Sequence, residues 1–236
     1  MVSAAPAAPS QPLPRRADLA QLPTRVLHPG SATKSRVTVV TCGGRELLIK
    51  DVHAMHPWVR ALYGRRVLHR EERVLAALQG MSGVPRLYGR VDADALASEC
   101  LAAEPLRRTL EPARLRKACT ALGERVAALH QRGVVHLDLR QKRNVLVDAD
   151  GGVFLVDFQS AWVLGTTGVR GVLLRWLARL DRSAVLKFKA RYVPDLLDER
   201  ERRAAARLAF LTRLWIFHRI GALLRVLLRR KRIRSP

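Results

Sequence analysis

Four polar residues whose types suit phosphate chemistry lie within one short stretch of the chain. His136 and Asp138 stand in the sequence HLDL, Asn144 follows them, and Asp157 opens the sequence DFQ. Carboxylate and amide oxygens are ligands that Mg²⁺ prefers, and a carboxylate can also accept the proton of a hydroxyl group. The stretch therefore predicts a site where a metal ion and a substrate hydroxyl meet.

The residues between these polar positions predict a small hairpin. Two apolar runs, Val145–Val147 and Val153–Val156, flank the sequence DADGG. Glycine tolerates a positive φ and aspartate bonds its own backbone, so this link predicts a tight turn. The loops before and after such a hairpin open at one edge, and we expect Asp138, Asn144 and Asp157 to converge there.

Composition narrows the classes of partner. The 236 residues can form one core, or a small lobe with a larger one. A net charge of +23 indicates nucleic acid, an anionic membrane surface or a phosphorylated substrate as partner. Aromatic residues make up only 5% of the chain, which argues against a protein that stacks single-stranded bases, and nucleic acid is the partner we do not expect.

Targeting signals and cysteines point to the cytoplasm. Neither a signal peptide nor a run of 18 uncharged apolar residues is visible, so we expect no spanning helix. Cys42, Cys100 and Cys119 are widely separated and lack metal-ligand spacing. Reduced thiols in a reducing compartment are the expected state.

A lysine and a glutamate upstream are candidate partners. Arg36–Cys42 and Arg45–Val52 predict two strands joined at a Gly-Gly turn, with Lys50 near the end of the second. That lysine is either a solvated strand residue or a cation aimed into a cleft. Residues 66–79 predict a helix on which Glu71 shares the face of three leucines. A buried carboxylate needs a partner, and Lys50 is available; alternatively, Glu71 only borders the apolar stripe.

The segment between the helix and the polar stretch predicts further strands and a long helix. Arg86–Val91 and Ala95–Leu101 are the predicted strands, and Glu99–Pro105 is the predicted connector. A helix is expected from Pro112 to Arg132, because proline suits its first turn and a glycine follows its end.

In this order, the elements and motifs resemble those of the protein-kinase-like superfamily. Lys50 matches the strand lysine that holds the α- and β-phosphates of ATP, and Glu71 matches the helix glutamate that positions it. Asp138 matches the catalytic-loop aspartate. Asn144 and Asp157 match the two residues that hold Mg²⁺. The resemblance covers about residues 28–165 and implies ATP and Mg²⁺ as cofactors, with His136 bracing the catalytic loop.

The resemblance also implies a fold and a domain order. The expected fold class is α+β, with a two-lobed protein-kinase-like arrangement of a small antiparallel β N-lobe and a mainly helical, truncated C-lobe. We expect a disordered leader over residues 1–24, because this segment is rich in Ala, Pro, Ser and Gln. The N-lobe would span 25–101, the C-lobe 102–204, and a basic apolar helical segment 205–236. Glu99, at the start of the connector, is a predicted nucleotide contact.

The expected phosphate loop departs from the kinase pattern G-x-G-x-x-G-x-V. Counting back from Val37 puts the three glycine positions at Gly30, Ala32 and Ser35, so one glycine remains. Backbone approach to phosphates is then less free. The side chains that could donate instead are those of Ser31, Thr33 and Lys34.

Other departures lie in the polar stretch. One extra residue separates Asp138 from Asn144, so either the loop bulges or Asn144 is displaced as a metal ligand. Gln159 stands where a kinase has the glycine of its D-F-G motif, and no A-P-E motif follows. The peptide-docking platform of eukaryotic kinases is therefore not expected.

With these departures, the chain resembles the compact bacterial branch of the superfamily. This branch includes the lipopolysaccharide core kinases, which phosphorylate Kdo or heptose sugars, and the RIO-like kinases. The first group implies an anionic glycolipid acceptor and a cytoplasmic protein that is peripheral at the inner face of the membrane. Two alternatives stay open, a RIO-like protein serine/threonine kinase and a non-catalytic nucleotide-binding protein or membrane scaffold. A monomer is expected.

Two C-terminal segments are candidates for contact with lipid. In Val172–Leu180, an apolar stripe of Leu173, Trp176, Leu177 and Leu180 lies opposite two arginines; this helix either packs on the core, which general helix statistics favour, or lies on a membrane. Residues 205–236 interleave arginines with apolar residues and could bind anionic headgroups, bind nucleic acid, or pack on the larger lobe.

Overall fold

The structure is a computed structural model that describes residues 12–207, and it shows an α+β chain with a small antiparallel sheet and several helices. The strands are β1 Thr24–His28, β2 Arg36–Cys42, β3 Arg45–Asp51, β4 Leu87–Asp92, β5 Ala95–Glu99, β6 Glu104–Pro105, β7 Val134–Val135, β8 Val145–Val147, β9 Val153–Leu155 and β10 Trp162–Val163. The α-helices are α1 Arg16–Leu19, α2 Pro57–Val59, α3 Arg65–Ala77, α4 Pro112–Gln131 and α5 Gly168–Tyr192. Single turns of other helix types cover Arg60–Gly64, Lys142–Asn144, Phe158–Ser160 and Pro194–Leu196.

The main sheet contains five antiparallel strands in the order β1-β2-β3-β5-β4. β2 and β3 begin and end within one residue of the predicted positions, because β-branched residues and the Gly43-Gly44 turn specify the hairpin locally. β3 is the central strand, and its Lys50 pairs with Val37 on one side and Leu96 on the other. The lysine therefore lies in the middle of the sheet.

The predicted disordered leader over residues 1–24 is wrong for the part that the structure describes. Residues 12–24 include α1 and the start of β1, and Leu13, Leu19 and Leu22 pack against the apolar core of the sheet. Arg16 donates to Asp51 at 2.8 Å and also bonds Asp92. The leucines and Arg16 therefore order a segment whose overall composition predicted disorder. Residues 1–11 lie outside the described part.

α3 carries Glu71 and continues from the helical turns over residues 57–64. Leu68, Glu71 and Leu75 are all buried, as the spacing of its leucines predicted. The start of α3 is tied to the β4–β5 turn, because Arg65 donates to the buried Asp94 at 2.7 Å. The helix is thus fixed relative to the sheet.

α4 starts at the predicted Pro112 and ends at Gln131, one residue before the predicted end. Glu111 caps its first turn by accepting the N–H groups of Ala113 and Arg114 at 2.9 and 2.8 Å. It ends before Gly133, which has a φ of 73° and no room for a side chain, because a Cβ would lie 2.6 Å from Gly165. This stop turns the chain into β7 and the polar stretch.

The predicted hairpin after β7 is confirmed. β8 and β9 pair in the register Val145 to Leu155, and β6 adds a third short strand. In the turn, Asp148 accepts the N–H of Gly152 at 2.6 Å, and Gly151 has a φ of 82°. Asp and Gly therefore do in this turn what their positions predicted.

The chain divides into two compact units, residues 1–185 and 186–236. In the first unit, α5 packs Leu174 and Ala178 into a cluster with Val135 and Leu164. In the second, residues 199–207 are helical, and Lys189 pairs with Glu201 at 2.7 Å. Among the residues that the structure describes, no helix is both long and apolar enough to cross a membrane. Of the predicted segment 205–236, residues 208–236 lie outside the description.

Candidate active site

A buried ion pair forms one side of the candidate site. Nζ of Lys50 donates to both carboxylate oxygens of Glu71 at 2.8 Å, and to Oδ1 of Asp157 at 3.1 Å. Both residues of the Lys50–Glu71 pair are buried, which excludes the solvated lysine and the bordering glutamate that the sequence left open. The sheet, the helix and the segment after β9 thus meet at one ammonium group.

The electrostatics of this triad follow from burial and charge. Burial alone would lower the pKa of Lys50, but attraction to Glu71 and Asp157 outweighs it and raises this pKa above its usual value. Burial raises the pKa of Glu71, and the charge of Lys50 opposes that rise without cancelling it. Lys50 is therefore charged at neutral pH, and the carboxylate of its partner Asp157 is partly open to solvent.

The second side of the site is the loop of Asp138 and Asn144. The amide nitrogen of Asn144 donates to Oδ2 and to the main-chain oxygen of Asp138, both at 3.0 Å. Asn144 is buried, and its main-chain carbonyl accepts the N–H of Val156, the residue before Asp157, at 3.0 Å. The loop makes a helical turn at Lys142–Asn144, and Asn144 contacts Asp138 despite the extra residue between them.

Gln141 is a site residue that the sequence reasoning missed. Its amide nitrogen donates to both carboxylate oxygens of Asp138, at 2.8 and 2.6 Å. It is exposed and lies in the loop, where no periodic pattern indicates a partner. The Asp138 carboxylate therefore accepts hydrogen bonds from two amide side chains.

The backbone around Asp157 adopts a rare conformation. Asp157 has a φ of 66° and a ψ of 66°, in the left-handed region that non-glycine residues seldom occupy. Gln159 then lies in an ordinary helical turn, so the missing glycine is not needed there. Phe158 is buried, and its N–H donates to Glu71. The turn is thereby tied to the helix that carries the glutamate.

His136 and Asp181 form hydrogen bonds that hold the start of the Asp138–Asn144 loop. Nε2 of His136 lies 3.0 Å from the carbonyl of Val156, and burial lowers the pKa of this histidine, so its ring is neutral and donates there. The buried Asp181 of α5 accepts the N–H groups of His136 and Leu137, both at 2.8 Å. Leu137 has a φ of 66°. These contacts agree with the bracing role expected for His136.

Asp181 was also missed by the sequence reasoning, although a signal existed. It lies seven residues after Leu174 and three after Ala178, on the buried face of α5. The predicted stripe with Leu173 and Trp176 lies on a different, exposed face of the helix. An aspartate in register with buried residues is costly unless it accepts hydrogen bonds, and that cost was the available clue.

The predicted phosphate loop forms a tight turn between β1 and β2. Gly30 has a φ of 79°, and Ser31 and Lys34 bond each other's main chains at 3.0 and 3.3 Å. Ala32 accepts the N–H of His56 at 3.0 Å. The main-chain N–H groups of Ser31 and Lys34 are thus engaged within the turn, whereas the side chains of residues 31–34 are exposed. The other predicted loop positions are Ser35 and Val37, both half-buried at the start of β2.

Glu99, the other predicted nucleotide contact, ends β5. Its carboxylate accepts the N–H of Arg86 at 3.0 Å, and its own N–H donates to the carbonyl of Arg86 at 2.9 Å. The side chain therefore supports the pairing of β5 with the edge strand β4. A nucleotide contact at this residue stays a prediction.

The oxygen donors of the site suit Mg²⁺ in kind. Asp157 keeps one carboxylate oxygen that does not bond Lys50, and the amide oxygen of Asn144 is left available because its nitrogen faces Asp138. Within residues 12–207, no three His, Cys, Asp or Glu side chains group closely enough to hold a metal by themselves. Mg²⁺ in phosphoryl-transfer sites is commonly bound by one or two protein groups together with phosphate oxygens.

No protein-family model matches this chain, and no curated protein matches it. What the site can do follows from its own residues. It offers a fixed cation for an anion at Lys50, two oxygen donors for a divalent ion, and a carboxylate at Asp138 that can accept a proton. This set suits the binding of a polyphosphate and the activation of a hydroxyl group.

Proposed function

We propose that this chain is an ATP-dependent phosphotransferase with a protein-kinase-like fold, and that it transfers the γ-phosphate of ATP to a hydroxyl group. The observation that carries the proposal is the contact of Lys50 with both oxygens of Glu71 and with Asp157. In protein kinases a strand lysine paired with a helix glutamate binds the nucleotide phosphates, and the metal-binding aspartate lies beside them.

In this proposal each side chain has one task. Lys50 binds the α- and β-phosphates, and Glu71 keeps its ammonium group in place. Asp138 orients the acceptor hydroxyl and takes its proton as the bond to phosphorus forms and the bond to the leaving ADP oxygen breaks. His136 and Asp181 hold the main chain at Leu137, so that the aspartate next to it is presented in one orientation. Catalysis of this kind depends on positioning and charge neutralisation.

Asp157 and Asn144 are the residues that would hold Mg²⁺. When bound, the ion would neutralise charge on the phosphate oxygens. The fixed position of Asn144, bonded to Asp138 and to the main chain beside Asp157, supports this assignment.

The proposed acceptor is a Kdo or heptose sugar of the lipopolysaccharide core, carried on an anionic glycolipid at the inner face of the cytoplasmic membrane. Arg140, Lys142 and Arg143 follow Asp138 closely and are exposed. An acceptor whose hydroxyl reaches Asp138 would bring its neighbouring groups to these cations. Phosphate or carboxylate groups on the acceptor would complement them.

One observation favours a second candidate, a non-catalytic nucleotide-binding protein. The amide of Gln141 occupies both carboxylate oxygens of Asp138, where an acceptor hydroxyl would have to bind. In the catalytic proposal the hydroxyl displaces this amide, so Gln141→Ala keeps or raises turnover. In the second candidate neither the wild-type protein nor this variant releases ADP with any acceptor.

The test is phosphate transfer by the purified full-length protein from labelled ATP with Mg²⁺. The acceptors are a Kdo-bearing lipid A, generic proteins, and none. Label in lipid supports the proposed acceptor, label in protein supports a RIO-like protein kinase, and no label supports the second candidate. Asp138→Ala should reduce transfer roughly 100-fold or more while ATP still binds. Asp157→Ala should weaken binding of Mg-ATP.

Asp150→Ala is the matched control, since Asp150 is an exposed aspartate in the β8–β9 turn and has no contact with the site. It should behave as the wild-type protein does. Full turnover by Asp138→Ala or by Asp157→Ala would contradict the proposed roles.

A further inference from the structure

The first half of α5 presents an apolar stripe to solvent. Val169 is 87% exposed and Trp176 is 60% exposed. With Val172, Leu173 and Leu180, which are also exposed, they follow the spacing i, i+3, i+4, i+7 and i+11, which is one face of a helix. A contiguous apolar face of this kind is uncommon on a soluble surface and marks a site of interaction.

This stripe is not the face that packs against the rest of the first compact unit. Leu174, Ala178 and Asp181 are buried on the other side of the helix, where they contact the core and the catalytic loop. The core-facing interpretation of Leu173, Trp176 and Leu180 is therefore wrong for these side chains; of the predicted stripe, Leu177 alone is partly buried. The helix has met its packing requirement and still presents a second apolar face.

The charges around the stripe are all of one sign. Arg170, Arg175, Arg179 and Arg182 are exposed, and none forms an ion pair within the part of the chain that the structure describes. No Asp or Glu occurs between Phe158 and Leu180. The apolar face is thus bordered by arginines whose long side chains reach past it.

We propose that this face of α5, centred on Trp176, docks on an anionic lipid surface. Apolar side chains including a tryptophan, next to a row of arginines, are the features of helices that lie in a membrane interface, where the rings enter the headgroup region and the cations bind anionic lipid. This face includes Val172–Leu180, one of the two segments that the sequence indicated as candidates for lipid contact, and it is separate from the other segment, residues 205–236. Docking here does not depend on phosphate transfer.

The charge pattern decides between lipid and other occupants. A second copy of the chain, with a net charge of +23, would bring like charges together. Residues 208–236 contain eight Lys or Arg and no acid, so this segment would also meet repulsion from the arginine border. Nucleic acid would satisfy the arginines, yet it would leave five apolar side chains without an apolar partner.

The first measurement is partitioning of the full-length protein between buffer and vesicles of phosphatidylcholine with phosphatidylglycerol. Trp176→Glu should lower the partition coefficient roughly tenfold or more, because a large apolar side chain no longer enters the lipid. Trp58→Glu is the matched control, since Trp58 is 73% exposed on another helical segment. It should partition as the wild-type protein does. Circular dichroism checks that both variants remain folded.

A local measurement separates this face from any other lipid contact in the chain. Quenching of tryptophan emission by brominated phosphatidylcholine in the same anionic vesicles reports which rings enter the bilayer. Trp176→Phe should remove a quenched component that Trp58→Phe leaves intact. Equal quenching in the Trp176→Phe variant and the wild-type protein, or equal partitioning of Trp176→Glu and the wild-type protein, overturns the proposal.

Two further outcomes would also overturn it. If Trp176→Glu loses affinity for duplex DNA while it keeps its affinity for vesicles, the face binds nucleic acid. If sedimentation shows a wild-type dimer that Trp176→Glu disperses without a change in vesicle binding, the occupant is a second copy of the chain.

Discussion

Removal of the Lys50 charge should destabilise the folded chain by about 3 kcal/mol at pH 7. Lys50→Met keeps the apolar stem in the sheet but leaves the buried Glu71 without its cation. A buried pair broken on one side commonly costs about 3–5 kcal/mol. Protonation of Glu71 limits that cost, because neutralising a carboxyl with a usual pKa of 4.5 at pH 7 costs about 3 kcal/mol.

The pH dependence of this loss of stability follows from the pKa of Glu71. In Lys50→Met, burial keeps the pKa of Glu71 raised in the folded state, so the stability of the variant is greatest below the unfolded value of 4.5 and is lost as the pH rises. The difference between variant and wild type should therefore shrink between pH 7 and pH 5. Urea unfolding followed by circular dichroism at both pH values measures it.

A double variant provides the control. Lys50→Met with Glu71→Leu replaces the ion pair by apolar side chains, and Leu68 and Leu75 already occupy that face of α3. Such replacements are commonly neutral, so the double variant should return to within about 1 kcal/mol of the wild type. It should still lack phosphate transfer. A single variant as stable as the wild type at pH 7, or a double variant as unstable as the single one, would refute the reasoning.

Three other variants test contacts that hold the candidate site or the N-terminal segment in place. Asp181→Asn should lower the free energy of unfolding by about 1–3 kcal/mol and reduce kcat without a change in ATP affinity. The reason is that an amide group would face the N–H donors where two acceptor oxygens had been. An unchanged kcat would count against the role of Asp181. Burial lowers the pKa of His136, so its neutral ring stabilises the fold above pH 6.5, and this stabilisation is lost as the pH falls through the folded-state value. Below pH 6.5 the free energy of unfolding of the wild type should therefore fall by up to about 1.4 kcal/mol per pH unit more than that of His136→Asn. Arg16→Gln should cost about 1 kcal/mol and accelerate amide exchange in β1 relative to Arg15→Gln; equal exchange in the two would show that Arg16 does not hold the N-terminal segment.

The elements that the sequence predicted well are those specified by neighbouring residues. β2, β3, α3, α4 and the β8–β9 hairpin each follow from a local period closed by Gly, Pro or Asp. The elements that it missed depend on distant partners. α1 forms in the segment of disordered composition, and β1 starts at its last residue, because three leucines pack on the sheet and Arg16 reaches two aspartates far along the chain. No window of the sequence contains both halves of those contacts.

The site shows the same division. Spacing along α3 placed Glu71 on the apolar face, and the energetic cost of burying a carboxylate made Lys50 a candidate partner; the structure shows the two residues buried and paired. Spacing indicated that Asp181 is buried but not which groups it contacts, because its partners, the main-chain N–H groups of His136 and Leu137 and the ring of His130, lie 44 or more residues away. It could not predict Gln141 either, since a loop residue has no period.

The unfavourable features of this chain are concentrated at the site, and that distribution argues for function. Leu137 and Asp157 are the non-glycine residues with positive φ in the part of the chain that the structure describes, and both flank the Asp138–Asn144 loop. Such residues cost of order 1–3 kcal/mol each. The buried Lys50–Glu71 pair lies beside them, although apolar side chains would fill that space without loss of stability. A sequence constrained by stability alone would lose all three features. Their survival in one place is expected if the site must hold an anion and present a carboxylate in a fixed orientation.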